Sequence, residues 1–538
     1  MTGKQRMIER TNQLCKTDAP IAAAWHLRGA SLLFVGALLA VVAASCAPSG
    51  AATQPAASER AQESPRASSK EAAAGEETVA NVVALGRVWS GHPVGFDLLT
   101  KGGHQYVAYY DATRQLTVAH RRAGHPGWRY TKLDSYVGWD SHNSIEMALD
   151  SEGHLHLSGN MHVDPLVYFR TTEPHDVRTL RRVETMADES VETRATYPEF
   201  FRNKEGRLIF KYRSGKSGDG NEIYNIYDAE SQTWRPLTEA PLTDGEDERN
   251  AYFDGPVLGP DGKWHLAWVW RESPDAATNH DLSYAVSDDL KSWQTSTGEL
   301  FSLPITLDEA QVVDPVPVQG GLLNGLAKVG FDHAGRATIT YHKYDEDGDS
   351  QIYVARAEDG GAWQTYRISD WSGFRWDFGG GGSLPENKVG VGRVEPAGEG
   401  RLAVDVYRKG RGWKTWTLDA ETLEKVGERP RQTAGLPQGV QRKPEVQVDR
   451  AGAQMQMNYA RDSRLANSKT RGIGRERQLG VRYLLSWATL GQNRDYARAF
   501  IPPPTTLRLY RLTRTSPSAS NAAGDAAASA TPNNEPSK

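Results

Sequence analysis

The stretch Gly138–His162, GWDSHNSIEMALDSEGHLHLSGNMH, carries both the strand pattern and the side chains on which the predictions for this chain depend. Apolar and polar residues alternate on either side of Asp150–Gly153, which predicts two short strands joined by a polar turn. The stretch holds four of the fourteen histidines of the chain. A hairpin of this kind would bring the outer two, His142 and His162, close together in space.

The turn of this hairpin recurs along the chain. Seven polar turns that contain glycine are each followed by a short alternating strand, at a spacing of roughly 50–70 residues. They are Lys101–Gly103, Asp150–Gly153, Asn203–Gly206, Asp261–Gly262, Asp332–Gly335, Gly398–Gly400 and Asp449–Gly452. Several unrelated β-sandwiches would leave this spacing unexplained, so the pattern predicts an all-β fold, a seven-bladed β-propeller over residues 81–515. His154 and His156 lie in one of the repeated strands and are expected to be structural.

The two ends of the chain differ from this region in composition. The 15-residue apolar run Ala30–Ala44 is short for a membrane span and typical of a signal peptide, here residues 1–46. Its end resembles a bacterial lipobox, which implies cleavage before Cys46 and lipid attachment to its thiol; ordinary secretion or an uncleaved anchor is the alternative. Residues 47–80 and 516–538 are rich in small and polar residues and are predicted to be a disordered linker and a disordered tail.

Charge and cysteine content exclude several classes of function. The 538 residues carry a net charge of −4, so no overall basic field points to nucleic acid. Cys15 and Cys46 are the only cysteines, and both precede the predicted propeller. The propeller therefore has no disulfide bonds, and a metal in it would need His, Asp or Glu ligands. We expect a monomer that meets a membrane only through a lipid anchor.

Several longer strings carry a resemblance to a known family. They are VGFDLLT (94–100), HQYVAYYDA (104–112), LTVA (116–119), the stretch 138–162, YPEF (197–200), YRSGKSGDG (212–220), NAYFDGP (250–256) and RESPDAATNHDLSYA (271–285). Together they resemble the BNR-repeat proteins that include seven-bladed ulvan lyases. The resemblance is strong over residues 82–300 and extends elsewhere only through the blade pattern. Ser287–Trp293, SDDLKSW, is similar to the Asp-box, a structural turn of such propellers.

The resemblance implies an active site of two histidines, a tyrosine and an arginine on one face of the propeller. The matching residues are His142, His162, Tyr197 and Arg213. Polar clusters beside them add the candidate substrate-binding residues Asn143, Arg194, Lys216, Tyr252 and Arg271, and the cationic ones among these would suit an anionic polysaccharide.

These residue types suit a lyase that cleaves a uronate-containing polysaccharide, with ulvan as the leading substrate. Such an enzyme removes the proton at C5 and expels the sugar linked at C4, so the charge of the neighbouring carboxylate must be neutralised. A guanidinium can pair with a carboxylate through two hydrogen bonds, which favours Arg213 for this role. His142 or Tyr197 would act as the base and Tyr197 as the acid, with His162 orienting or sharing the proton.

The resemblance also implies a structural zinc, which the relatives hold with histidine and cysteine ligands. This chain has Ser283 where a thiolate would be expected. The candidate ligands are therefore His265, His280 and Asp281, and the β-elimination itself requires no cofactor.

Two functions of other classes stay open. A sialidase-like glycoside hydrolase would share the fold and needs either paired carboxylates, for which Asp254 and Glu272 are candidates, or a tyrosine nucleophile with an arginine cluster. A non-catalytic glycan-binding protein would keep an aromatic groove and lose the set of two histidines, tyrosine and arginine. The glycine run Gly379–Ser383 lacks the strand-to-helix pattern and the lysine of a phosphate-binding loop.

Overall fold

The computed structural model describes residues 77–432, 436–444, 452–461 and 481–514. The predicted signal peptide with Cys46, most of the predicted linker and the predicted tail lie outside these residues. The first described strand begins at Glu77, within the predicted linker of residues 47–80. No helix within the described ranges is long and apolar enough to cross a membrane.

The described residues form 31 strands and two short 3₁₀ turns, Val177–Thr179 and Ala276–Thr278. The strands of the first half are β1 (Glu77–Val88), β2 (Asp97–Lys101), β3 (His104–Tyr110), β4 (Gln115–Arg122), β5 (Arg129–Tyr136), β6 (Ile145–Leu149), β7 (Leu155–Gly159), β8 (His162–Asp164), β9 (Tyr168–Thr171), β10 (Leu180–Arg182), β11 (Ala195–Arg202), β12 (Leu208–Lys216), β13 (Asp219–Asp228), β14 (Thr233–Pro236), β15 (Asn250–Leu258) and β16 (Trp264–Arg271). Those of the second half are β17 (Asn279–Ser287), β18 (Trp293–Gln294), β19 (Gln311–Asp314), β20 (Lys328–Phe331), β21 (Ala337–Tyr344), β22 (Ser350–Ala357), β23 (Trp363–Arg367), β24 (Val389–Val391), β25 (Glu395–Pro396), β26 (Arg401–Arg408), β27 (Gly412–Asp419), β28 (Lys425–Pro430), β29 (Gln454–Tyr459), β30 (Val481–Thr489) and β31 (Thr505–Arg514). The all-β prediction is confirmed.

These strands form six sheets, and most of the sheets are antiparallel units of four strands in near-sequential order. The units are β2–β3–β4–β5, β6–β7–β9–β10, β20–β21–β22–β23 and β24–β26–β27–β28, the last with β25 added. A ten-stranded sheet holds two further runs, β11–β12–β13–β14 and β15–β16–β17–β18, with β8 and β19 at its margins. The two runs are joined by a single parallel pair, Gly220 with Asn250. Within each unit, consecutive strands are joined by short connections, and this explains why the repeat is visible in the sequence.

The last sheet joins the two ends of the described chain. The first strand, β1, pairs antiparallel with the last strand, β31, over the whole span from Glu77–Arg514 to Val88–Thr505. Strands β30 and β29 complete this sheet. Because β1 comes from one end of the sequence and β29–β31 from the other, this pairing holds the N-terminal and C-terminal parts of the fold together.

The predicted glycine turns lie mostly where the sequence placed them. Five of the seven connect the first strand of a four-stranded run to the next strand, and Gly398–Gly400 connects β25 to β26. The seventh falls largely outside the described residues, and its Gly452 lies two residues before β29. In the β6–β7 turn Gly153 has a φ of +93°, and a Cβ there would come within 2.6 Å of the His175 ring. This turn therefore depends on glycine both for its backbone conformation and for the space it leaves.

The Asp-box-like segment forms the turn between β17 and β18. The Ser287 hydroxyl accepts a hydrogen bond from the Leu290 backbone N–H at 2.8 Å, and the Asp289 carboxylate accepts one from Ser292 at 2.8 Å. Trp293 is buried at its end. The Ser287 and Asp289 side chains thus bind the turn itself, which gives the motif a structural role.

Candidate active site

A cavity of about 760 Å³ is lined by strand ends and loops from several units. Its lining includes His142, His162, Tyr197, Tyr252 and Arg271. These residues come from the loop before β6, from β8, from β11, from β15 and from β16. The cavity therefore collects polar side chains from separate units, as expected for a site at the open end of a propeller-like fold.

The β6–β7 hairpin brings the outer two histidines together, as predicted. Strand β6 pairs antiparallel with β7, and Ile145 lies opposite Gly159 at the open end. His142 and His162 lie three residues beyond this pair on either side, and their ring centroids are 4.2 Å apart. The prediction of a histidine pair at the open end of a hairpin is confirmed.

A single carboxylate, Asp140, contacts both rings. Its Oδ1 lies 2.7 Å from Nδ1 of His142, and its Oδ2 lies 2.5 Å from Nδ1 of His162. A carboxylate only accepts hydrogen bonds, so Nδ1 of each neutral ring carries the proton and Nε2 is the acceptor. Burial opposes the charge on Asp140, but the hydrogen bonds from His142 and His162 hold the pKa of its carboxyl well below its usual range.

His162 lies on a strained segment of backbone. Asn160 and Val163 on either side of it have φ values of +62° and +66°, and a branched side chain such as valine rarely adopts this conformation. The Val163 backbone N–H donates to the Thr196 hydroxyl at 2.9 Å, which holds the segment against β11. Strain of this kind costs about 1–3 kcal/mol per residue, so the surrounding contacts fix the orientation of His162.

Tyr197 projects into the cavity from a β-bulge. The pairing of β11 with β12 shifts between Thr196 and Glu199, which leaves Tyr197 and Pro198 unpaired. Proline has no N–H to donate to a neighbouring strand, so a bulge is the natural outcome at this point. Tyr197 itself has a φ of +57°, and its ring meets the His142 ring edge-on with centroids 5.9 Å apart.

Two tyrosines and two arginines alternate beside the histidine pair. The Arg213 guanidinium lies 5.1 Å from the Tyr197 ring centroid and 5.9 Å from that of Tyr252. The Arg271 guanidinium lies 5.4 Å from the Tyr252 ring centroid. Arg213 donates to the Tyr252 hydroxyl at 3.3 Å and to the Thr196 hydroxyl at 3.1 Å. It is only 2% exposed and lies behind the two rings, whereas Arg271 lines the cavity.

This arrangement shifts the pKa values of the two tyrosines in opposite directions. Although Tyr197 is 37% exposed, desolvation of its hydroxyl by the surrounding side chains raises its pKa above the usual range; the nearby Tyr252 adds to this effect, and Arg213 offsets it only in part. Burial would also raise the pKa of Tyr252, but Arg213 and Arg271 outweigh it and lower that pKa. Ser217 adds a contact of 2.5 Å to the Tyr252 hydroxyl. The Tyr197 hydroxyl therefore retains its proton to higher pH than the Tyr252 hydroxyl.

The other predicted substrate-binding residues divide into two groups. Lys216 lines the cavity, and its amine lies 3.9 Å from the Asp219 carboxylate. Arg194 pairs with the same carboxylate at 3.1 Å and is not among the residues that line the cavity. Asn143 is buried behind the site, where its backbone carbonyl accepts a hydrogen bond from Tyr110. Tyr252 and Lys216 thus reach the cavity, and Asn143 and Arg194 do not.

The predicted zinc ligands do not converge. His265 lies opposite Val286, and His280 lies opposite Trp270, so the two histidines occupy opposite ends of the β16–β17 pair. Six residues of strand separate them, which corresponds to about 20 Å. Both His265 ring nitrogens already have partners, Tyr284 at 2.5 Å and Asp261 at 3.0 Å.

His280 contacts carboxylates on both sides, Asp281 at 2.9 Å and Glu272 at 2.6 Å. The hydroxyl of Ser283, three residues further along β17, is buried without a hydrogen-bond partner. A serine hydroxyl is a poor zinc ligand compared with a thiolate. The proposed set of His265, His280 and Asp281 therefore does not fit a zinc ion.

The acidic residues considered for a hydrolase are engaged elsewhere. Asp254 pairs with Lys328 at 3.0 Å and with Arg393 at 3.6 Å. Glu272 pairs with His280 and, at 3.3 Å, with Arg249. Neither Asp254 nor Glu272 lines the cavity.

Sequence reasoning missed two carboxylates of the site. Asp140 precedes His142 by two residues inside the quoted stretch, and that spacing is typical of a side chain that accepts a backbone N–H, as it does here at 2.8 Å. This signal could have revealed it. Asp495 accepts hydrogen bonds from the Ser141 backbone at 2.9 Å and the Ser141 hydroxyl at 2.7 Å. It lies 354 positions away in the chain, and no local pattern reveals such a contact.

Comparison with known proteins agrees with this architecture. A model of the BNR repeat-containing family matches residues 104–371. The chain belongs to the BNR-repeat family. The resemblance inferred from the sequence is therefore confirmed.

Two curated relatives of this BNR-repeat protein are ulvan lyases. The long isoform from Glaciecola sp. (strain KUL10) is 27% identical over 152 residues, which are 26% of this chain and 15% of that one. The short isoform from Alteromonas sp. (strain LOR) is 27% identical over 154 residues, 26% of this chain and 28% of that one. The match therefore spans less than a third of either relative.

A solved structure shares the fold over a longer span. The polysaccharide lyase Uly1 superimposes with a TM-score of 0.52 at 13% identity, and the match covers 81% of this BNR-repeat chain and 99% of Uly1. At this identity the likeness concerns the fold.

Proposed function

We propose that this protein is a polysaccharide lyase that cleaves a uronate-containing, ulvan-like glycan by β-elimination. The observation that carries the proposal is the convergence of two imidazoles, two tyrosines and a guanidinium on one cavity of about 760 Å³. β-Elimination at a uronate needs a base, an acid and a positive charge opposite the carboxylate, and this set supplies all three. The partial matches to ulvan lyases support the same class of reaction.

The positive charge comes from two arginines, one that contacts the substrate and one that acts through Tyr252. Arg271 lines the cavity and, with the hydroxyl of Tyr252, receives the substrate carboxylate. Arg213, which the sequence favoured for this contact, is only 2% exposed and donates to Tyr252 instead. It therefore neutralises the developing charge through Tyr252 rather than by touching the substrate. Lys216 adds a positive charge at the margin of the cavity.

The proton transfers fall to the histidine pair and Tyr197. Nε2 of His142 takes the proton from C5, a double bond forms between C4 and C5, and the C4–O bond breaks. Tyr197, whose pKa is raised, gives its proton to the leaving oxygen. The cycle closes when the proton on the imidazole returns to the Tyr197 phenolate, directly or through His162. Each of these groups typically contributes about 10²–10⁴-fold to the rate.

The proposal includes an architecture and a location. Six four-stranded runs and the sheet of β29, β30, β31 and β1 support seven blades. The function also fits export, with the predicted lipobox at Cys46 as the anchor and a monomer as the working unit. An anionic polysaccharide is the partner, and no metal takes part in the reaction.

One assay distinguishes lyase, hydrolase and binding protein. The full-length protein is incubated with ulvan and other uronate polysaccharides, and the ultraviolet absorbance of unsaturated products is followed. A lyase raises the absorbance, and Tyr197→Phe and Arg271→Ala reduce that rate by about 10²-fold or more. Tyr136→Phe, the same change at an exposed tyrosine outside the cavity lining, is the matched control and keeps the wild-type rate.

Two results would contradict the proposal. Reducing ends released without absorbance would indicate a hydrolase. Retention of the protein on immobilised polysaccharide without any product would indicate a binding protein.

A further inference from the structure

We propose that Asp140 is a positioning residue that makes His142 and His162 a single unit, which accepts one proton in addition to those on the two Nδ1 atoms. The inference rests on the proposed lyase function and adds a residue that acts through the histidines. Asp140 Oδ1 and Oδ2 each accept one Nδ1–H, at 2.7 Å from His142 and at 2.5 Å from His162. One carboxylate thereby fixes the tautomer of both rings and leaves both Nε2 atoms as proton acceptors.

The short distance between the rings limits the pair to one additional proton. Their centroids are 4.2 Å apart, so two imidazolium ions would repel each other strongly. The ionised Asp140 stabilises the first imidazolium and has no second charge to offer the other. A proton taken from C5 by His142 is thus shared within the unit until Tyr197, whose ring lies 5.9 Å from that of His142, takes it back.

Contacts from Asp495 and His92 hold Asp140 and its loop in place. Asp495 binds the backbone and hydroxyl of Ser141 and also accepts the Ser383 backbone N–H at 2.8 Å. Its carboxylate lies 3.6 Å from Nδ1 of His142 and adds negative charge. His92 donates from Nε2 to the Asp140 carbonyl at 3.1 Å, because its Nδ1 accepts from Trp89.

The same three side chains form a possible metal cluster, since imidazole nitrogens and a carboxylate oxygen are zinc ligands. The distances between Asp140 and the two rings favour hydrogen bonds over coordination of a shared metal ion. Ligands of a tetrahedral zinc with bonds of about 2.0–2.1 Å lie about 3.3 Å apart. The separations of 2.7 Å and 2.5 Å are hydrogen-bond lengths instead.

The test compares Asp140→Asn with Asp150→Asn. Asp150 contacts His154 and His156 at the other end of the same hairpin, outside the cavity lining, and so provides a matched control. An asparagine at position 140 donates to one ring and forces the wrong tautomer. We expect Asp140→Asn to lower kcat by about 10²–10⁴-fold with KM changed less than about threefold.

The pH profile provides a readout that a purely structural role would not move. Asp140→Asn removes the negative charge that contacts both rings, so we expect the acid limb of the kcat/KM profile to move to lower pH. Asp495, Tyr197 and His92 face the same group and stay unchanged in this variant. Asp150→Asn keeps the wild-type kcat and profile. Equal kcat and equal profiles in the two variants would overturn the inference.

Two further measurements do not depend on lyase activity. Nitrogen chemical shifts of ¹⁵N-labelled histidine in the full-length protein report the tautomer, and two rings protonated at Nδ1 in the wild type are expected. Either ring protonated at Nε2 would overturn the inference even if the lyase function holds. One tightly bound zinc per purified chain, lost in Asp140→Asn, would overturn it as well. A wild-type protein with the expected tautomers and no lyase activity would refute only the proposed function.

Discussion

The β6–β7 hairpin carries one aspartate and two histidines at each of its ends. At the open end, Asp140, His142 and His162 have side chains that are 28%, 23% and 23% exposed. At the turn end, Asp150 lies 3.2 Å from His154 and 3.5 Å from His156, and these side chains are at most 5% exposed. The two clusters share their chemistry and differ in where they lie.

Burial decides what each cluster can do. Burial lowers the pKa of His156 to about 4, although Asp150 opposes the shift, so this ring is neutral at neutral pH. Its Nδ1 accepts a hydrogen bond from the Tyr168 hydroxyl at 2.7 Å, and that contact commits it to the core. The open end faces the cavity beside Tyr197, where proton transfer to a substrate is possible. Identical residue types thus serve stability at one end and, we propose, catalysis at the other.

The largest expected difference between the two ends is in activity. His142→Gln should lower kcat by about 10²–10⁴-fold, because the proposed base is lost, and should leave the thermal midpoint nearly unchanged. His156→Gln should keep kcat per folded molecule and lower the free energy of unfolding by about 1–3 kcal/mol, because it disturbs a buried hydrogen bond. Steady-state kinetics and thermal denaturation on both variants check this. Equal losses of kcat would contradict the distinction between the ends.

A second difference is the cationic surroundings of the open end. Arg213→Met should remove a charge that lowers the pKa of Tyr252. On alkaline titration, Tyr252 should therefore ionise at a higher pH in the variant than in the wild type. Spectrophotometric titration of tyrosinate measures this. Arg170→Met, at an arginine that contacts Tyr227 away from the cavity, is the control. An unchanged titration in Arg213→Met would contradict the assignment of Arg213 to Tyr252.

A third difference is in the pH dependence of stability. The folded pKa of His156 lies below its unfolded value of 6.5, so the unfolded chain binds more protons between these values. Stability is therefore full above about pH 6.5 and is lost as the pH falls toward 4, by up to about 3 kcal/mol for one fully buried histidine. His342, also buried with a pKa of about 4, acts in the same direction.

Denaturant unfolding at several pH values measures this slope. His156→Gln should flatten it, and His162→Gln should not. If the dependence of the free energy of unfolding on pH changes only in His162→Gln, the titrating group lies at the open end of the hairpin, which would contradict this prediction.

The smallest expected effect concerns the support of the open end. Asp495→Asn weakens the hydrogen bonds to Ser141 and Ser383 and removes a charge near His142. We expect about a fivefold fall in kcat, which corresponds to about 1 kcal/mol. Steady-state kinetics beside Asp377→Asn, at an exposed aspartate that pairs with Arg375, give the comparison. A loss as large as that of Asp140→Asn would make Asp495 the principal partner of the histidines.

The strand pattern made the hairpin and the repeated units predictable from the sequence. Both depend on contacts between residues that are near in the chain, such as the turn at Gly153 and the pairing of Ile145 with Gly159. The pairing of β1 with β31 depends on residues more than 400 positions apart, and no local signal announces it.

The site was predicted less completely than the fold. The histidines and Tyr197 follow from the quoted strings, but only Arg271 of the two arginines lines the cavity, and that position cannot be read from a string of letters. The zinc set failed for a simpler reason. His265 and His280 are near in sequence, yet they lie at opposite ends of two antiparallel strands.

The most direct test of the account is the mass of the products that the full-length protein releases from ulvan. Elimination yields products that are one water lighter than those of hydrolysis, and His142→Gln should abolish them while His156→Gln should not. Products with the mass expected for hydrolysis, or the same product yield from both variants, would contradict the assignment of the chemistry to the open end of the β6–β7 hairpin.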